Sequence, residues 1–186
     1  VDCTVLGCRS VRRTFGHRFH GPAQGIDLAT AAQYPEALAS ANVIADFDER
    51  RAVVLDGIEK TAAQAGARAV VDAALLEEVT ALVEWPVPVL ASFDEAFLAL
   101  PREVIVATLQ EHQRYFPLTD ENGALRNLFV TIANIDSTQP DLVRRGNERV
   151  VQPRLADAAF FWEADGRRSL DSRLLERVVG VAGLGP

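Results

Sequence analysis

The chain has 186 residues, of which 48% are hydrophobic and 24% are charged, and its formal net charge is −7 at pH 7. This composition is typical of a globular domain and excludes a chain that is disordered throughout. The acidic total argues against indiscriminate binding to nucleic acid. Lys60 is the only lysine among 19 basic residues. Because arginine offers phosphate a forked pair of donors, a local basic surface stays compatible with the acidic total.

The first 20 residues predict a strand, a turn at Gly7, and a basic loop punctuated by Gly16 and Gly21. Arginines and histidines surround two phenylalanines in this loop, and such loops often carry function. Two cysteines and two histidines raise the alternative of a zinc site, but their C-x4-C and H-x2-H spacing departs from the usual one. We favour reduced, partly buried cysteines instead. The four residues concerned are Cys3, Cys8, His17 and His20.

Helical and extended patterns alternate through the middle of the chain. Capping residues and apolar periodicity predict helices over 30–39, 46–65, 72–83, 94–100 and 101–112. Short strands are predicted at 26–28 and 68–71, and two prolines keep 85–90 extended, as in an edge strand. The acidic run DFDER at 46–50 could be a carboxylate cluster for a metal. An acidic first turn that complements the helix dipole is the favoured interpretation.

Asn122-Gly123 lies between two extended segments, 114–119 and 125–135, and predicts a β-hairpin. Alternation in the second strand directs Leu128 and Val130 inward and Phe129 to the other face. Short strands interleaved with helices predict an α+β fold, with a mixed or antiparallel sheet and flanking helices.

The segment from Gln139 to Asp165 has the densest mixture of basic and apolar side chains. Pro140 suits the first position of a helix, and Pro153 predicts a kink or a break into two helices. Helical spacing of Leu155, Ala158, Ala159 and Trp162 predicts a buried stripe with a buried aromatic end.

Another face of the same helix holds Arg145, Arg149 and Gln152. Two interpretations of its arginines stay open: a surface that presents cations, or a solvated face on which they pair with neighbouring carboxylates. The candidate carboxylates are Glu148, Asp157 and Glu163. Beyond this helix, 169–179 predicts a last amphipathic helix and 180–186 a disordered tail. We expect residues 1–179 to form one module, and the absence of methionine leads us to expect a fragment of a longer protein.

Several motifs, in one order along the chain, resemble a known family. They are GHRF at 16–19, ADFDER at 45–50, VEWP at 83–86, the long run EEVTALVEWPVPVLASFDEAFLALPREVIVATLQEHQRYFPL, and RRGNERVVQPRLADAAFFWEAD. Together they resemble the β subunit of the heterotetrameric bacterial glycyl-tRNA synthetase. The family pattern is lost after Val179, where this chain reads GVAGLGP.

The resemblance implies the fold of the B3/B4 module of the phenylalanyl-tRNA synthetase β chain, in the N-terminal part of a long subunit. It implies a cytoplasmic α2β2 enzyme that joins glycine to its tRNA, with ATP and magnesium bound on the α subunit. We expect no catalytic residue, no metal and no cofactor on this chain. The expected partners are the α subunit, the remaining β-subunit domains and tRNA(Gly), and no membrane.

We expect a surface that contacts tRNA phosphates, since several forked cations facing one nucleic acid give salt-sensitive binding. Its expected residues are Arg12, Arg13, His17, Arg18, Arg144, Arg145, Arg149 and Arg154. The first alternative is a purely structural module that braces the synthetase. The second is a hydrolytic editing-type module that acts on mischarged tRNA, with His112 as its best candidate base.

Overall fold

The computed structural model describes residues 3–167. Within this range the chain forms eight β-strands and five α-helices. The strands are β1 (Thr4–Val5), β2 (Cys8–Arg9), β3 (Arg13–Thr14), β4 (Ile26–Asp27), β5 (Arg68–Ala69), β6 (Val87–Ser92), β7 (Phe116–Thr119) and β8 (Leu125–Ala133). The helices are α1 (Tyr34–Ala39), α2 (Phe47–Gln64), α3 (Ala73–Leu82), α4 (Arg102–Gln113) and α5 (Pro140–Gly166). The helix predicted at 169–179 and the tail predicted at 180–186 lie outside the described residues.

The main sheet has four strands in the order β5-β7-β8-β6, and each neighbouring pair is antiparallel. The predicted hairpin is confirmed: β7 and β8 pair across the turn at Asn122-Gly123, and Gly123 has a φ of 82°. Strand β6 lies at an edge of the sheet with Pro88 inside it, as the two prolines predicted. These features confirm an α+β fold with an antiparallel sheet.

Both faces of the sheet are covered by helices. One core lies between the sheet and α2 and α3, where Ile58, Leu118 and Val130 are fully buried. A second core lies between the opposite face and α4 and α5, and includes Phe129 and Leu155. The alternation predicted for β8 is therefore correct, and the face that was assigned away from the interior is buried as well. The result is a three-layer arrangement of helices, sheet and helices.

Local capping explains where the long helices begin. The carboxylate of Asp46 accepts a hydrogen bond from the Glu49 backbone N–H at 2.9 Å, and Asp72 caps α3 through Leu75 in the same way. Each carboxylate satisfies a donor that has no partner inside its own helix. The favoured interpretation of DFDER as an acidic helix start is thus confirmed, since Asp46 caps α2 and Asp48 and Glu49 lie in its first turn.

Helix α5 departs from two expectations. It runs without interruption through Pro153, so the predicted break into two helices is wrong. The predicted stripe does face the core at Leu155, which is fully buried, but Trp162 is 53% exposed. The buried aromatic end is therefore wrong too: α5 extends about 16 Å past Leu155, at 1.5 Å per residue, and Leu155 is its last residue in the buried core.

The amino-terminal segment forms two small antiparallel pairs, β1 with β2 and β3 with β4. Cys3 and Cys8 are exposed and unbonded, so the expectation that they are partly buried is wrong. Residues 3–167 contain no helix that is long and apolar enough to cross a bilayer.

Candidate nucleic-acid interface

Residues 15–21 form a loop that lies directly against the body of the protein, and we call it the anchored loop. The backbone N–H of His17 donates to the carbonyl of Ala41 at 2.9 Å. A side chain at Gly16 would overlap with Ala41, since a Cβ there would lie 2.3 Å from the Ala41 Cβ. A Cβ at Gly21 would lie 2.8 Å from the Gly16 backbone. The two glycines that punctuate the sequence therefore allow the loop to fold tightly on itself and on Ala41.

His17 is only 2% exposed, and both of its ring nitrogens are engaged. Nε2 lies 2.7 Å from the carbonyl oxygen of Asn134, and Nδ1 accepts from the Phe19 backbone N–H at 3.3 Å. Because a carbonyl only accepts, we assign the proton to Nε2. The predicted phosphate-facing His17 thus has no nitrogen left for a phosphate, and its observed role is to hold the loop.

Further contacts tie the loop to the chain that precedes α5. The side-chain oxygen of Asn134 accepts from the backbone N–H groups of Glu84 and Trp85, at 2.8 and 3.0 Å. Two residues later, the Asp136 N–H donates to Nε2 of His20 at 3.1 Å. His20 in turn stacks on His17, with ring centroids 4.9 Å apart. The anchored loop is therefore fixed both to the end of β8 and to the entry of α5.

The arginines near this loop differ in their availability. Arg13 forms a bidentate pair with Asp27 across β3 and β4, at 2.8 and 2.9 Å. The hydrogen bond between them raises the pKa of Arg13 and lowers the pKa of Asp27. Arg12 donates to the carbonyl of Ala29 at 3.3 Å. Arg18 forms no ion pair within residues 3–167, and its guanidinium carbon lies 5.8 Å from the centroid of the Phe19 ring. Of the three, Arg18 is the most available cation.

On α5, Arg144 is held by its own helix. It donates to Glu148 at 3.0 Å and approaches Asp141 at 3.4 Å, and the hydrogen bond to Glu148 raises its pKa. Glu148 also accepts from the N–H and hydroxyl of Ser92, at 3.2 and 3.0 Å, which joins α5 to the end of β6. For Arg144 the alternative of pairing with a neighbouring carboxylate is confirmed.

The other three arginines of α5 are exposed and make no ion pair within residues 3–167. Arg145 and Arg149 are four residues apart and share one face of the helix. Arg154 is rotated from Arg149 by about 140°, at about 100° per residue, so it lies on a different side of α5. The structure thus brings Arg145 and Arg149 together and separates Arg154 from them.

The two predicted arginine groups are linked through a short segment of chain. Asp136, which bonds the anchored loop, is four residues from Pro140, the first residue of α5. With an extended link and five helical residues, the backbone of Asp136 lies within about 22 Å of that of Arg145. The loop that carries Arg18 is therefore tied to the chain a few residues before the helix that carries Arg145 and Arg149.

Some surface features were not predicted. Phe15 and Phe19 flank Arg18 and are 62% and 69% exposed. At the far end of α5, three consecutive aromatic side chains are exposed, and helical periodicity did not predict this exposure. They are Phe160, Phe161 and Trp162. Exposed aromatic rings on this scale indicate contact surfaces.

The geometry gives little basis for the catalytic and metal-binding alternatives. His112 is exposed at the end of α4. A cavity beside that end is lined by seven residues, and His112 is not one of them. Both ring nitrogens of His17 are hydrogen-bonded, to Asn134 and to Phe19, and so are not free to bind zinc. Within the described range, no cluster of three or more candidate metal ligands exists.

Comparison with known proteins identifies relatives along the whole chain. A family model described as "Glycyl-tRNA synthetase beta subunit" matches residues 1–186. The "Glycine--tRNA ligase beta subunit" of Stutzerimonas stutzeri is 46% identical over 187 residues, and that of Azotobacter vinelandii is 47% identical over the same length. Each alignment covers 100% of this chain and 27% of the relative. The chain therefore spans about a quarter of the length of the curated relatives that it matches.

Proposed function

This chain belongs to the glycyl-tRNA synthetase beta subunit family, and we propose that it contributes tRNA binding and subunit assembly to the charging of tRNA with glycine. The proposed setting is a cytoplasmic enzyme in which the α subunit carries the ATP and magnesium site. In this proposal the partners are that α subunit, the remaining β-subunit domains and tRNA(Gly). The three-layer α+β fold supports our further inference that the module resembles the B3/B4 module of phenylalanyl-tRNA synthetase.

The observation that carries the tRNA-binding proposal is the group of exposed arginines without ion pairs in the described range. Arg145 and Arg149 lie on one face of α5, and Arg18 lies on the loop fixed just before that helix. An exposed guanidinium that no carboxylate neutralises keeps its forked donors free for a phosphate. Arg13 and Arg144, which are already paired with carboxylates, contribute less to the proposed surface.

The test is tRNA affinity across a salt series, measured with the assembled synthetase. Replacing Arg149 with alanine is expected to weaken binding and to reduce the salt slope by about 1, as for the loss of one phosphate contact. The matched control is Arg154→Ala on the same helix, which faces another side and should leave the slope nearly unchanged. Equal slopes for wild type and both variants would contradict the proposed surface.

The exposed aromatic end of α5 favours the assembly part of the proposal. Phe160, Phe161 and Trp162 are each more than half exposed, and large aromatic side chains are enriched at the centres of protein interfaces. Copurification of the α subunit with a Trp162→Ala β subunit measures this role directly, and undiminished recovery would count against it. No observation favours the editing-type alternative, because His112 does not line the cavity beside the end of α4 and forms no ion pair within residues 3–167.

A further inference from the structure

The anchored loop borders a cleft of about 320 Å³. It is lined by residues of the loop and the two that follow it: Phe15, Gly16, His17, Arg18, Gly21, Pro22 and Ala23. Its volume is at the lower end of the range for small-ligand sites, about 300 Å³ and upwards. A single nucleotide is a ligand of suitable size.

The side chains around the cleft already have contacts within the fold before any ligand binds. Phe15 lies against Gly25, where an added Cβ would be 3.0 Å from the ring. Arg18 is positioned by the face of Phe19, at 5.8 Å from its centroid. Below them, His17 is locked by Asn134 and Phe19. Such preorganisation lowers the entropic cost of binding.

We propose that this cleft binds one unpaired nucleotide of RNA, with the base stacked on Phe15 and the adjoining phosphate bound by Arg18. Aromatic rings next to cations are the features with which proteins hold single strands, because every base has a face that can stack. A base inside a duplex is already stacked on its neighbours and cannot enter. This inference rests on the proposed tRNA-binding function and refines it. It assigns the loop to an unpaired region of the RNA, whereas the arginines of α5 can bind phosphates in any part of the RNA.

The experiment uses the full β subunit assembled with its α subunit. The probe is a single-stranded RNA tetranucleotide that contains 2-aminopurine, whose fluorescence is quenched by stacking, compared with a blunt RNA duplex and with free adenosine monophosphate. Phe15→Leu keeps the apolar character of the side chain and removes the ring. The control is Phe47→Leu, which makes the same substitution at the first residue of α2, where the ring is partly exposed and outside the lining of the cleft.

Phe15→Leu is expected to weaken binding of the tetranucleotide by about 5- to 100-fold and to abolish the quenching, while binding of the duplex is unchanged. Arg18→Ala is expected to weaken binding of the tetranucleotide and to reduce the slope of affinity against salt by about 1. Phe47→Leu should match wild type with every RNA. Thermal melting of each variant confirms that the fold is intact.

The results separate the possible failures. If wild type binds tRNA in a salt-dependent way but Phe15→Leu equals the control, the nucleotide cleft is wrong and the proposed function stands. If free adenosine monophosphate binds as tightly as the tetranucleotide, the cleft serves a free nucleotide instead of RNA. If Phe15→Leu impairs only recovery of the α subunit, the cleft is a protein contact. If wild type binds no tRNA even at low salt, both proposals fall.

Discussion

Replacing His17 with alanine tests whether this residue holds the anchored loop or contacts RNA. The imidazole is buried and makes two hydrogen bonds, to the Asn134 carbonyl and from the Phe19 N–H. Each lost hydrogen bond costs about 0.5–1.5 kcal/mol, and the cavity adds a further term. We expect the free energy of unfolding to fall by about 2–4 kcal/mol. His17→Gln, whose amide can retain one of the two bonds, should cost about half as much.

The assay is urea unfolding of the 186-residue chain, with the midpoint and the slope m both fitted, so that a change in stability is separated from a change in compactness. His112→Ala is the matched control: that histidine is exposed, and its replacement should change stability by less than about 0.5 kcal/mol. A His17→Ala chain as stable as this control would refute the proposed anchoring.

A salt series on the same variant addresses the competing role. If His17 only positions the loop, tRNA binding below the melting temperature weakens while the slope of affinity against salt stays close to that of wild type. A slope reduced by about 1, as for a lost phosphate contact, would show that the histidine faces RNA after all.

Three other substitutions test contacts outside the anchored loop. Tyr115→Phe removes a 2.6 Å hydrogen bond to Asn147 and should lower the unfolding free energy by about 1 kcal/mol at pH 7. Burial raises the pKa of Tyr115. The stability supplied by its neutral phenol is therefore present below pH about 10 and is lost as pH rises through the pKa of the folded state. In alkaline titrations followed by circular dichroism, the Tyr115→Phe variant should lose less stability than wild type. Asp46→Ala should cost about 1 kcal/mol in urea unfolding through the lost cap of α2, whereas Asp48→Ala should cost little. Trp162→Ala should leave chain stability within about 1 kcal/mol of wild type, because the ring is 53% exposed, while weakening α-subunit recovery.

Local signals in the sequence predicted most of the fold. Asn122-Gly123 fixed the hairpin, because the tight turn between two strands needs residues that tolerate positive φ. Asp46 and Asp72 marked helix starts, since a carboxylate beside the first free N–H groups acts within one turn of chain. Each of these signals depends only on neighbouring residues, which is why no knowledge of tertiary structure was needed.

The candidate site was less predictable, because the availability of a cation depends on contacts between distant segments. Arg13 is paired through the register of β3 and β4 with a residue 14 positions away, and His17 is buried by contacts with Asn134, 117 positions away. Arg144 could have been assigned from sequence, since its partner lies four residues further along the same helix.

The aromatic end of α5 shows the corresponding limit of helical periodicity. Spacing at i, i+3, i+4 and i+7 gives the angle at which Leu155 and Trp162 point, and that angle is correct for Leu155. It gives no information on where the partner surface ends. The buried core residues of α5 end at Leu155, so the same stripe is core at one end and exposed at the other.

Asn134 connects the proposed RNA-contacting loop to the hydrophobic interior. Its backbone and side-chain oxygens accept from three groups, on His17, Glu84 and Trp85, which bring the anchored loop, the approach to β6 and the end of β8 to one residue. Because one residue holds both sides, a shift of the loop at His17 would strain or break the bonds to Glu84 and Trp85. A substitution at Asn134 should therefore loosen the anchored loop that carries Arg18, even though it touches no arginine of the proposed surface.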